Sequence, residues 1–171
     1  MSEMPECPPV VLDTNAVFDW LLFGDLAMKP LASAIESGQV AWVGTLAMAQ
    51  EQDHVIRRGD LGQRAAHAPG LAAARRKWMR IVPGPPAVTP GTPAHLRCTD
   101  PDDQMFIDLA IHLAAPWLVT RDRALLRLAR RARGLGVEVI EPRRWTPVET
   151  VPRDSRTLFR TTAPEGEPET S

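Results

Sequence analysis

Short apolar runs alternating with segments of helical period dominate this chain. Residues 10–12, Val-Val-Leu, form one such run, and others recur at 40–43, 117–120 and 137–140. Runs without a polar face suit strands covered on both sides, as in a parallel sheet. Between them, apolar positions three and four apart predict helices over 16–22, 31–37, 46–57, 71–80, 102–115 and 122–133. Gly38 closes the second of these, Thr45 caps the third, and Pro69-Gly70 is expected to break the chain before 71–80. The stretch 83–93, "PGPPAVTPGTP", admits neither regular helix nor central strand and reads as a connector. Strands alternating with helices predict an α/β fold whose parallel sheet is covered on both faces. A frayed lead over 1–9, one domain over 10–146 and a flexible tail over 147–171 complete the expected organisation.

Composition narrows the classes. At 171 residues, 44% hydrophobic and 24% charged, the chain suits one globular domain. No apolar run approaches the roughly 18 residues of a membrane span, and no secretory signal is visible. Cys7 and Cys98 lack CxxC or zinc spacing, so a reduced, cytoplasmic setting without structural zinc is expected. The net charge of −1 argues against a protein that coats nucleic acid. It does allow local contrast, with arginines crowding 75–80 and 121–133 and acids gathering at 100–108.

Those acids matter because ligands bind beyond the carboxyl ends of strands in open parallel sheets. Asp13 follows the first strand directly, Asp122 follows 117–120 by one residue, and Asp103 opens the helix before that strand. Glu51, about two turns into the 46–57 helix, reaches the same edge if that helix crosses it. Each has an ordinary alternative. Asp13 suits a helix cap near Ala16, and Asp122 complements a helix dipole. Asp100-Pro101 reads as N-cap plus first-turn proline, making Asp103 an N3 acid, and Glu51 suits pairing with Arg57 or Arg58. Convergence would change that balance. Two carboxylates about 4 Å apart repel by roughly 4 kcal/mol at an effective dielectric of 20. Such a group persists only with raised pKa values or a cation, and oxygen donors favour Mg2+ or Mn2+. The histidines, His54, His67, His95 and His112, show no metal spacing and read as packing or surface residues.

"VVLDTNAVF", the helix around Glu51, "DPDDQMFIDLA" and "WLVTRDRALL" together resemble the PIN domain in order and spacing, across about residues 10–145. More closely, the chain resembles the PIN-family toxin components of bacterial toxin–antitoxin systems. The resemblance implies a three-layer α/β/α fold with a central twisted parallel sheet and a metal-dependent ribonuclease site at its carboxyl edge. It implies catalytic, metal-binding roles for Asp13, Glu51, Asp103 and Asp122, with Asn15 and Thr120 orienting ligands or water. Asp102 competes with Asp103, whose spacing to Ala110 suits the pattern better, and Asp100 and Asp108 are candidate outer acids. The chain departs from the pattern at Gln50-Glu51-Gln52, where relatives often carry Glu-Glu-Leu, and at Arg121, where glycine is frequent.

The expected activity is in-line hydrolysis of RNA phosphodiesters with one or two Mg2+ or Mn2+ ions, Glu51 or Asp122 serving as general base. Arg121, Arg123 and Arg127 are candidate phosphate contacts. The ordinary reading of 123–133 is a solvated helix face over a buried stripe of Leu125, Leu128, Ala129 and Ala132. Expected partners are substrate RNA and a cognate antitoxin protein. A homodimer would use exposed Trp or Met surface on the helices of 46–80. One rival is a haloacid-dehalogenase-like phosphatase, disfavoured because Asn15 stands where its second aspartate belongs. The other is a non-catalytic module that binds RNA or an antitoxin, against which the presence of all four acids argues.

Overall fold

A computed structural model describes residues 7–59, 61–62, 68–85 and 96–147. Five parallel strands form one sheet: β1 (Pro9–Leu12), β2 (Ala41–Gly44), β3 (Met79–Ile81), β4 (Trp117–Val119) and β5 (Glu138–Ile140), in the order β3-β2-β1-β4-β5. The first strand is therefore central. Its register pairs Val10 with Trp42 on one side and Val11 with Leu118 on the other. The chain builds outward from β1 through β2 to β3, then returns to build β4 and β5 on the opposite side. The crevice between β1 and β4 is consequently the topological switch point, where open α/β sheets bind ligands.

Alternation along β1 explains the layers. Val10 and Leu12 join Phe18, Leu31, Trp42, Val119 and Trp145 in the core on one face. Val11 joins Phe106, Leu109, Leu118, Leu125 and Val139 on the other. The first core lies under α1 (Thr14–Leu21), α2 (Lys29–Glu36) and α4 (Ala68–Trp78), and the second under α5 (Gln104–His112), α6 (Arg123–Leu126) and α7 (Ala129–Arg133). Both faces are dry, so an all-apolar strand costs nothing here. The expected three-layer α/β/α architecture with its parallel sheet is what the chain adopts.

The predicted helix over 46–57 coincides with α3 (Leu46–Arg57), capped by the Thr45 hydroxyl on the Met48 N–H as expected. Gly38 follows α2 at a φ of 75°, a conformation strained for any residue with a Cβ. Gly38→Ala is expected to cost about 1 kcal/mol by urea unfolding; an unchanged midpoint would show that the turn relaxes.

Several expectations need correction. Pro69 and Gly70 begin α4 instead of breaking the chain before it, because first-turn N–H groups need no helical partner. The helix predicted to Arg80 ends at Trp78, and Met79–Ile81 is the edge strand β3. The segment 122–133 is two short helices, with Leu125, Leu128 and Ala132 buried and Ala129 half-buried. At the expected lead, the Pro8 carbonyl accepts the Ala41 N–H at 2.9 Å and Pro9 opens β1. The rest of that lead, the connector beyond Pro85 up to Pro93, and the tail beyond Pro147 lie outside the described residues.

Surface expectations also shift. Met48 and Met79 are buried, and the half-buried Trp78 packs on Trp20 at 5.6 Å. His54 and His112 are exposed, whereas His67 and His95 lie outside the described residues. Cys7 and Cys98 are free thiols. No helix among the described residues is long and apolar enough to cross a membrane.

Candidate metal centre at the β1–β4 switch point

Asp13 leaves β1 as the N-cap of α1. Its Oδ1 accepts the Ala16 N–H at 2.6 Å, and its Oδ2 accepts the Thr120 hydroxyl. The residue is 2% exposed. Burial pushes its carboxyl up to about 6, against the pull of Thr120 and Ala16, with Asp122 and Asp19 adding repulsion. The cap reading of Asp13 holds, and the carboxylate also faces Thr120 at the strand end.

Thr120 is fully buried and links the two strand ends. While its hydroxyl donates to Asp13, its oxygen accepts the Asp122 N–H at 2.9 Å. Asp122 then caps α6, its Oδ1 accepting from Ala124 at 2.6 Å and Leu125 at 3.3 Å. Asp122→Asn retains this cap and Asp122→Ala loses it, so only the alanine variant is expected to lose about 1 kcal/mol of stability. Equal melting temperatures for the two variants would refute that role.

The third acid arrives differently from the sequence expectation. Asp100 and Pro101 precede a turn, α5 starts at Gln104, and Asp103 occupies its N-cap without a side-chain capping bond. Its carboxyl is left to face its neighbours. Burial first, then repulsion from Asp122, Asp100 and Asp13, raises it to about 7, and it shares a hydrogen bond with Asp122. Asp102 is exposed, with its N–H turned to Asp100, while Asp108 accepts from the Gln104 side chain. Asp103, not Asp102, joins the group.

Glu51 is not among the charges that bear on Asp13 and Asp103. It lines an open groove on α3 with Ala47, Gln50, Asp53 and His54. Arg57 lines the same groove. Gln52 is buried instead, held by Arg75, which also bonds the Ala49 carbonyl at 2.8 Å and Asp53 at 2.6 Å. The buried Gln52 side-chain oxygen thereby finds its donor on α4.

Asn15 is exposed on α1. Arg123 and Arg127 are exposed, as an RNA-facing surface requires, but Arg121 is engaged by Asp19 and Asp25. Those two acids were not anticipated, since nothing local marks them. Asp19 is raised mainly by burial, despite Arg121. Burial also pushes the Cys98 thiol up, with Asp103 and Asp122 adding to it.

Among the described residues, no three Asp, Glu, His or Cys side chains already surround one point as a bound ion requires. The oxygens of Asp13 are turned to Ala16 and Thr120, and Asp103 hydrogen-bonds Asp122, whose charge helps to raise the Asp103 carboxyl. The chemistry of the donors nevertheless fits a hard divalent cation, because such an ion removes the repulsion between the carboxylates.

A family model for the PIN domain matches residues 9–124. Comparison with curated proteins and with solved structures gave no significant match.

Proposed function

Because the chain belongs to the PIN domain family, we propose that it is a metal-dependent endoribonuclease, acting in the cytoplasm as the toxin of a toxin–antitoxin pair. PIN domains are typically nucleases and generally use divalent metal ions. The observation that carries the reading is the meeting of Asp13, Asp103 and Asp122 at the β1–β4 switch point.

Asp13, Asp103 and Asp122 would hold Mg2+ or Mn2+. When bound, the ion supplies Lewis-acid charge for the scissile phosphate and the water that attacks it. The residues divide the remaining work. Thr120 fixes the direction of the Asp13 carboxylate and the loop leading to Asp122. Asp103, free of capping bonds, has its carboxyl oxygens open to an ion, whereas Asp122 Oδ1 serves its helix. Arg123 and Arg127, both exposed, would receive phosphates of a bound strand. Glu51, which the resemblance makes a fourth ligand, lines the groove on α3. The absence, among the described residues, of three Asp, Glu, His or Cys side chains already gathered round one point favours a second reading, a module that binds RNA without cutting it.

Cleavage of a single-stranded RNA with Mn2+ or Mg2+ separates the two. Wild type is expected to cut, Asp103→Asn to lose at least about a hundredfold, the scale of one lost electrostatic stabiliser. RNA binding without cleavage by well-folded wild type would establish the second reading. The toxin role, supported by the motif resemblance, has its own test. Expression in a bacterial host is expected to arrest growth, with relief by a small protein encoded just upstream. Absence of arrest removes the toxin role and leaves the nuclease untouched.

A further inference from the structure

Arg121 separates Thr120 from Asp122, two residues of the site, yet its guanidinium engages neither. Its Nε meets Oδ2 of Asp19 at 2.7 Å, and a second nitrogen hydrogen-bonds Oδ2 of Asp25. Asp25 is itself anchored, its Oδ1 accepting the Ala27 N–H at 2.8 Å and its own N–H donating to the Asp19 carbonyl at 2.8 Å. Asp19 is 16% exposed, and its Oδ2 is buried with the guanidinium as counterpart. A buried carboxylate stripped of its partner is strongly destabilising, and only a planar fork spans two carboxylates in fixed directions.

We propose that Arg121 is a positioning residue, pinning the β4–α6 loop to α1 so that Thr120 and Asp122 face Asp13. The assignment rests on the nuclease reading above. Two features of the geometry converge on it. The hydrogen bonds that build the site flank Arg121 on both sides, from Thr120 to Asp13 and from the Asp122 N–H to Thr120. The bridge also neutralises Asp19, a charge that otherwise bears on Asp13. The sequence suggested instead that Arg121 receives RNA phosphates, and the two roles predict opposite effects when Asp25 loses its charge. A phosphate-binding arginine would be freed and hold RNA more tightly. A positioning arginine would lose its anchor.

Arg121→Ala, Arg121→Lys and Asp25→Asn test this, the last retaining the oxygen that caps Ala27. Three measurements are compared with wild type: hydrogen exchange over 118–126 without added metal, affinity for a single-stranded RNA in chelator, and kcat and KM for RNA with Mn2+. Arg121→Ala and Asp25→Asn are expected to exchange about tenfold faster and to lose about tenfold in kcat, with KM and RNA affinity held within about twofold. Arg121→Lys is expected to restore part of both losses. Unchanged exchange in Arg121→Ala or Asp25→Asn overturns the proposal, as does tighter RNA binding by Asp25→Asn with weaker binding by Arg121→Ala. A wild type that neither binds Mn2+ nor cuts RNA ends the nuclease reading, while the exchange comparison still decides whether the bridge pins the loop.

Discussion

Asp13→Asn is expected to remove RNA cleavage by at least about a hundredfold and, without metal, to make the protein more stable at pH 8. The two effects share one cause. The Asp13 carboxyl is raised from 3.8 to about 6, chiefly by burial, so the folded protein binds its proton more tightly than the unfolded chain does. The stability this contributes is complete below about pH 4 and is lost as pH rises through about 6, a change of about 3 kcal/mol. Asp103, raised to about 7, extends the decline toward pH 8 in the same direction. Asparagine carries no charge to bury, keeps an acceptor for Ala16 and offers an N–H to the Thr120 oxygen. Thermal unfolding from pH 4 to 8 in chelator should therefore show a steeper decline for wild type than for the variant. Adding Mn2+ at pH 8 should lift wild type and leave the variant nearly unmoved. Parallel pH profiles would mean that Asp13 is not the buried charge it is taken for. Retained cleavage would remove it from the site.

Thr120→Val is the second large effect. The substitution preserves shape and deletes one hydroxyl that serves two buried partners. Asp13 Oδ2 loses its donor and the Asp122 N–H its acceptor, which together are expected to cost roughly 3 kcal/mol. Thr120 also pulls the Asp13 carboxyl down, so its loss raises that carboxyl further. Cleavage should fall by about 10- to 100-fold, the usual cost of losing an outer partner of a metal ligand. The acid limb of the pH–rate profile should move to higher pH. Thr120→Ser, which keeps the hydroxyl, is the control. If valine and serine variants match in stability and rate, the bridge between the strand ends contributes nothing.

Much of this architecture is legible from local pattern. Runs such as Val-Val-Leu announce dry strands, and Thr45 announces the start of α3. Asp13, Asp103 and Asp122 stand beside elements whose order alone brings them to one edge. What escapes is decided at a distance. Met79–Ile81 continues an Ala- and Arg-rich helical segment without a break, and only pairing with β2 makes it a strand. The Asp25–Arg121 bridge joins residues 96 positions apart, so neither betrays the other in sequence. For Glu51 the helix was predicted correctly, but the direction of its side chain depends on how α3 lies against the sheet. Helical periodicity cannot reveal that.

The placement of β1 at the centre has a consequence for when this site comes into being. Asp13 is made early, but the hydroxyl that orients it lies 107 residues later, on a strand reached only by crossover. Parallel pairings of such long sequence separation form late and slowly, because the intervening chain must be closed before they return any stability. A ribosome-bound chain that has not yet released residues 117–122 holds Asp13 without Thr120 or Asp122. The carboxylate set is thus withheld through most of synthesis, and the site is assembled only after most of the domain has been made.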